Sequence, residues 1–186
     1  MILGITGTVG AGKGTVVEYL VRACGFKHFS SREFLFEEIR RRGIADESRI
    51  ALRDTGNALR MEHGPGYIAE TLLARAKEAG GDAIIESIRT LGEAEFLKQQ
   101  GAFIVAVDAD RQVRYDRVIE RGSSTDNLSF ETFCEQEDLE MAGTAVWDMN
   151  VFGVMSIADW KLMNNGGLEE LHARVEDMLS AFRVRT

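Results

Sequence analysis

The stretch Gly7–Thr15, GTVGAGKGT, lies between an apolar run, Ile2–Thr6, and a segment of helical periodicity that begins at Lys13. Its spacing, Gly7, four residues, Gly12 and Lys13, fits G-x-x-x-x-G-K, and the order strand, loop, helix supplies the context that a bare motif lacks. Glycines at 7, 10, 12 and 14 open backbone conformations closed to other residues and leave no side chain between the loop's N–H groups and an anion. The helix starting at Lys13 adds the positive end of its dipole, and the Lys13 ammonium is expected to be free to reach the outer phosphates. Gly7, Gly10, Ala11, Gly12, Lys13, Gly14 and Thr15 are thus read as a cradle for a nucleoside triphosphate.

In this loop the residue directly after the lysine is Gly14, and the hydroxyl comes one position later, at Thr15. The GKGT ending resembles adenylate kinases and other nucleoside monophosphate kinases. That resemblance implies ATP as phosphoryl donor and places Thr15 near the Mg²⁺ that accompanies it.

The remaining chain alternates short apolar bursts with helical stripes. Strands are expected at Phe26–Phe29, Ala83–Glu86, Phe103–Val107 and Trp160–Met163, in addition to the first. Helices are expected from Ser30 or Ser31 to Gly43, Asp46 to about His63, Ile68–Ala79, Leu91–Gln100, Arg111–Arg121, Leu128–Met141, Ala145–Ile157 and Leu168–Phe182. This succession predicts an α/β fold, a three-layer α/β/α sandwich on a five-stranded parallel sheet, and the resemblance implies that it is of the P-loop, nucleoside monophosphate kinase-like kind. One domain over 1–186 is expected, with an acceptor-binding helical insertion at about 30–80 and a short lid at about 111–142.

Phosphoryl transfer needs alignment and neutralisation of charge, so arginines and carboxylates near strand ends are the candidates. IIESIRT, residues 84–90, resembles the LLDGFPRT element of adenylate kinases. The resemblance gives Glu86 a role toward Mg²⁺ or the acceptor and makes Arg89 a clamp on phosphate. FSSREFLFEEI resembles the acceptor-binding segment I-S-T-G-D-x-L-R, with Ser30 and Glu33 matching in kind. Arg32 stands for its glycine and Phe36 for its arginine. Arg32 or Arg60 is the candidate replacement for that charge, and Phe36 the first candidate to stack on an acceptor base. Arg53, Asn57 and Arg60 form one helical stripe suited to an anion, and Gly66 is a close-approach position. Asp116, Arg117 and Arg121 repeat the D-R-x-x-x-R of the adenylate kinase lid helix, in which both arginines reach the transferring phosphates. The tail ADWKLMNNGGLEELHARV resembles the end of dephospho-coenzyme A kinases and implies that Asn164 and Asn165 lie beside the nucleotide base.

Together these readings point to transfer of the γ-phosphate of ATP to a nucleoside or deoxynucleoside monophosphate. The alternatives are transfer to a ribosyl hydroxyl, as in dephospho-coenzyme A kinases, and an ATP-binding switch without catalysis. An excess of 30 acidic over 22 basic residues, net −8, argues against a nucleic acid polymer as partner. No apolar run approaches membrane-spanning length. Cys24 and Cys134 stand alone and are read as core thiols of a reduced compartment, so a cytoplasmic protein is expected, either a monomer or a homodimer. His28, His63 and His172 have no metal-ligand spacing and are read as surface or capping residues.

Overall fold

Apolar bursts of four to six residues are too short to be buried as helices, but as inner strands of a parallel sheet covered on both faces they bury most of their side chains. The computed structural model describes residues 1–122, 129–141, 143 and 147–184. Its five strands are β1 (Ile2–Gly7), β2 (Lys27–Ser30), β3 (Ala83–Glu86), β4 (Phe103–Asp108) and β5 (Trp160–Met163). They pair in parallel in the order β2-β3-β1-β4-β5. Register then decides what meets at the carboxyl edge. Glu86 is level with Ile5 on one side and Ser30 on the other, Gly7 is level with Val107, and Asp108 with Met163. Gly7, Ser30, Glu86 and Asp108 therefore arrive along one edge of the sheet.

Among the described residues the helices are α1 (Lys13–Cys24), α2 (Ser31–Arg41), α3 (Arg49–His63), α4 (Tyr67–Ala79), α5 (Leu91–Gln99), α6 (Arg111–Arg121), α7 (Phe130–Met141), α8 (Val151–Ser156) and α9 (Leu168–Arg183). Two cores sandwich the sheet. On one face Leu3, Ile5, Ile84 and Val105 pack against Val16 and Leu20 of α1 and Val175, Met178 and Phe182 of α9. On the other, Ile85 and Ile104 pack with Leu72 of α4, Leu97 of α5 and Val154 of α8. Successive residues of β3, Ile84 and Ile85, go to opposite cores, as the period of two in a strand requires. The expected three-layer sandwich on five parallel strands is the observed fold. Among the described residues no helix is long and apolar enough to cross a membrane.

Several boundaries move, each for a local reason. The helix expected from Asp46 starts at Arg49, because Ser48 caps it through Ala51 N–H while Asp46 accepts from the Ser48 N–H. The second strand runs one residue later than expected, since Phe26 N–H is used by Leu20 O in closing α1. The helix expected over 145–157 is only Val151–Ser156, started by the Asn150 side chain on Gly153 N–H. The polar loop expected over Gly122–Asn127 lies, beyond Gly122, outside the described residues, as do Leu128 and Ala145.

Candidate active site

At the carboxyl edge β1 gives way to the glycine loop. Gly10 and Gly12 lie at φ 78 and 91, in the left-handed region. Both are also closed to a side chain by contact: a Cβ on Gly10 would strike the Arg114 carbonyl, and one on Gly12 the Asn164 amide. Gly14 differs from the expectation. It is an ordinary helical residue of α1 with open space around its Cβ position, so no backbone demand accounts for it.

Lys13 Nζ donates to the carbonyls of Gly7 at 2.8 Å and Thr8 at 2.7 Å. The ammonium is therefore folded back over the loop, not free as the sequence reading had it. Thr8 Oγ1 donates to Asp108 Oδ1 at 2.6 Å. Asn164 ties three elements together: its side-chain N–H₂ donates to Ala11 O at 2.8 Å, its N–H to Asp108 O, and its carbonyl accepts from Arg117 Nη1 at 2.9 Å. Asn165 Oδ1 accepts from Asp110 N–H.

The floor of the site is the turn after β3. Ser87 is the only non-glycine among the described residues with positive φ, at 71. The following Ile88 is held twice by β1, its N–H on Ile5 O and its carbonyl on Thr6 Oγ1 at 2.7 Å. With the chain turned there, Glu86, Ser87 and Arg89 all line the cleft while Ile88 is buried. Glu86 Oε2 lies 2.9 Å from His28 Nε2. The His28 hydrogen bond holds the Glu86 carboxyl below its ordinary range against the opposing effect of burial, with the charges of His28, Lys13 and Arg89 helping. The same bond raises His28, again against burial. Arg89 is fixed at its backbone, where its N–H donates to Glu93 Oε2 and its carbonyl accepts from Asn150 N–H.

The cleft has a volume of about 920 Å³. It brings together Gly10, Gly12, Lys13, Gly14 and Thr15 of the loop, Glu86 and Arg89 of the floor, Arg117 and Arg121 of α6, and Arg32 and Arg60 of the opposite helices. Arg60 arrives already neutralised. It is 6% exposed, and its Nε and Nη2 donate to Glu93 Oε1 at 3.0 and 2.8 Å, with Nη1 on Asn57 Oδ1 at 3.4 Å. Arg32 lies over the Phe36 ring, 5.3 Å from its centroid.

The other sequence candidates do not line the cleft. Gly7 and Ala11 are loop residues turned away from the cleft, Ala11 giving its carbonyl to Asn164, and Asn165 bonds Asp110 N–H. Ser30 is the N-cap of α2, accepting from Glu33 N–H at 3.3 Å. Phe36, Asn57 and Glu33 belong to the helices around the cleft, and Gly66 packs on Phe96. Sequence reasoning missed Ser31, Leu35, Leu52 and Met149, which line the cleft, and His28 and Asp108, which hold its residues. Asp108 carried a usable signal, as a carboxylate at the end of a buried strand. Met149 carried none.

Comparison with known proteins fits this geometry. Residues 3–141 match the AAA domain family. A UPF0200 protein of Hyperthermus butylicus is 30% identical over 182 residues, covering 97% of this chain and 94% of the relative, and one from Methanothermobacter thermautotrophicus is 28% identical over 96% and 89%. Among solved structures, TT1252 from Thermus thermophilus superposes with a TM-score of 0.63 at 21% identity over 97% of each chain. Shikimate kinase from Bacteroides thetaiotaomicron does so with 0.58 at 15% identity, over 97% of this chain and 98% of the kinase. The fold is thus that of P-loop kinases, and the chain belongs to the AAA domain family, among the UPF0200 proteins.

Proposed function

We propose that this chain is an ATP-dependent phosphotransferase of the nucleoside monophosphate kinase type, moving the γ-phosphate of ATP to a nucleoside or deoxynucleoside monophosphate. The observation that carries the reading is the single cleft in which Lys13 and Thr15 face Arg89, Arg117 and Arg121. In that reading α2–α4 form the acceptor side of one domain, and α6 with α7 its donor-side cover.

The glycine loop would bind the triphosphate through main-chain N–H groups, with Lys13 leaving its two carbonyls for the outer phosphates. An acceptor phosphate oxygen attacks the γ-phosphorus as the bond to the β,γ-bridging oxygen breaks, and ADP leaves. A phosphate oxyanion needs no general base. Arg89, Arg117 and Arg121 spread the developing charge. Thr15 and Glu86 supply a hydroxyl and a carboxylate to one cleft, a donor set that suits Mg²⁺. When bound, that ion would neutralise phosphate charge.

A screen of mononucleotides, dephospho-coenzyme A and small hydroxylated acids, each with ATP and Mg²⁺, tests the reading. Formation of ADP and a nucleoside diphosphate is expected. Turnover confined to dephospho-coenzyme A or a hydroxy acid would replace the acceptor, and tight ATP binding without any transfer would replace the enzyme with a switch.

A further inference from the structure

Arg114 is 5% exposed and Glu137 6%, and neither belongs to the cleft wall. Arg114 Nη1 and Nη2 donate to Glu137 Oε1 and Oε2, the second at 3.0 Å, joining α6 to α7. The guanidinium also lies over the Phe133 ring of α7, 5.9 Å from its centroid, and its other hydrogen bonds point at the phosphate loop and its support. Nη1 also donates to the carbonyl of Val9, a cleft residue, at 3.3 Å, and Nε to Ala109 O at 2.7 Å. The Arg114 backbone carbonyl is the atom that closes the space beside Gly10.

The charge balance around Arg114 makes Glu137 more than a packing partner. Asp108 lies 3.5 Å from Arg114 Nε, but its Oδ1 already accepts from Thr8 Oγ1 at 2.6 Å and from Ala109 N–H at 2.9 Å. Glu137 is therefore the main counter-charge of a buried cation. Without it the nearest carboxylate to Arg114 is Asp108, and a turn toward it would compete with Thr8 for the same oxygen and withdraw the donor from Val9. The Thr8 hydroxyl and the Val9 carbonyl, on consecutive residues of the loop, would then lose these partners together. A buried cation left uncompensated is a strong driving force for such a shift.

We propose that Arg114 and Glu137 are positioning residues for nucleotide binding, a buried ion pair through which α7 sets the Thr8–Val9 half of the phosphate loop. This rests on the reading that the loop binds ATP. It assigns to α7 a part in donor affinity although the pair itself lies outside the cleft.

The test compares ATP dissociation constants and melting temperatures of the purified full-length chain and its variants. Glu137→Gln should weaken ATP binding about ten- to a hundredfold, the scale at which supporting partners of a site act. The paired change Arg114→Met with Glu137→Leu should regain melting temperature, since apolar groups can replace a buried ion pair, while ATP affinity stays low because Val9 has no donor. Arg111→Ala removes an exposed partner of the same carboxylate, 2.8 Å away, whose ion pairs go to Glu137 and Asp138 of α7, and should leave affinity within about twofold. Wild-type affinity in Glu137→Gln, recovery of affinity along with stability in the apolar pair, or an equal loss in Arg111→Ala would each overturn the proposal. Lys13→Ala separates the two levels: a wild-type chain that binds ATP no better than this variant removes the nucleotide reading, and the inference with it.

Discussion

The wall that we propose holds the donor is made largely of backbone, with Gly10 and Gly12 in left-handed conformations and Thr8, Val9 and Ala11 each held by a partner from β4, α6 or the turn after β5, whereas the proposed acceptor wall is made of side chains. On that second wall Arg60 is locked to Glu93, Arg53 pairs with its neighbour Asp54, and Arg32 rests on Phe36. Ser31 presents a buried hydroxyl with no hydrogen-bond partner among the described residues. Phosphate can be recognised by main-chain N–H groups, so its site must be spelled with glycines at set intervals. An acceptor is recognised by groups that converge from separate helices, and their identity follows no local rule.

The contrast can be broken at several points. On the donor side, Lys13→Ala should lower phosphoryl transfer by about 10³-fold or more, because the charge on the transferring group loses its nearest cation, with the melting curve little changed. Steady-state kinetics with ATP read this, and an unaltered rate would remove the donor wall from the reaction.

On the acceptor side the largest effect is on stability. Glu93→Ala strands Arg60 as a buried, unpaired cation and should cost about 3–5 kcal/mol. Arg53→Ala removes a pair in which both side chains are at least half exposed and should cost less than about 1 kcal/mol. Urea unfolding measures both, and equal losses would mean that the acceptor wall is not anchored at Arg60.

Two glycines sharpen the donor side from within. Gly12→Ala meets both a φ of 91 and the Asn164 amide and should cost about 1–3 kcal/mol. Gly14→Ala, in open space inside a helix, should stabilise by up to about 1 kcal/mol. Comparable destabilisation by both would show that Gly14 is under a constraint of its own.

The smallest effect joins the walls at the floor. His28 is raised above its ordinary value of 6.5, so its stabilising contribution is complete below that pH and is lost as pH rises through the folded-state value. Glu86 is lowered from 4.5, so its contribution is present above that pH and lost as pH falls through its folded-state value. These are two views of one interaction, fully formed between 4.5 and 6.5. The stability difference between wild type and His28→Asn should be about 1 kcal/mol or less in that window and fade toward alkaline pH. A difference that grows with pH would exclude the pair as its cause.

The same division explains what could be read from the chain alone. The loop was legible because its glycines stand at fixed spacing between a strand and a helix. Strands β1, β3, β4 and β5 were legible because apolar bursts of that length suit little but a covered sheet. The Glu86–His28 pair was not, because it depends on β2 lying beside β3 in one register. Arg60 and Glu93 are 33 residues apart on different helices, so an arginine that looked available for an anion is already engaged. Arg117 and Arg121, which line the cleft, were singled out by their resemblance to a kinase lid helix, with a spacing of four that puts them on one face, while Met149 sits in a segment with no period at all.

The turned backbone at Ser87 limits how the site can adapt. A residue held outside its preferred wells, with Ile88 next to it bonded twice to the central strand, has no neighbouring conformation to relax into. Glu86 and Arg89 on either side of it are therefore carried by the sheet as a rigid datum, and any narrowing around a ligand is left to the surrounding helices.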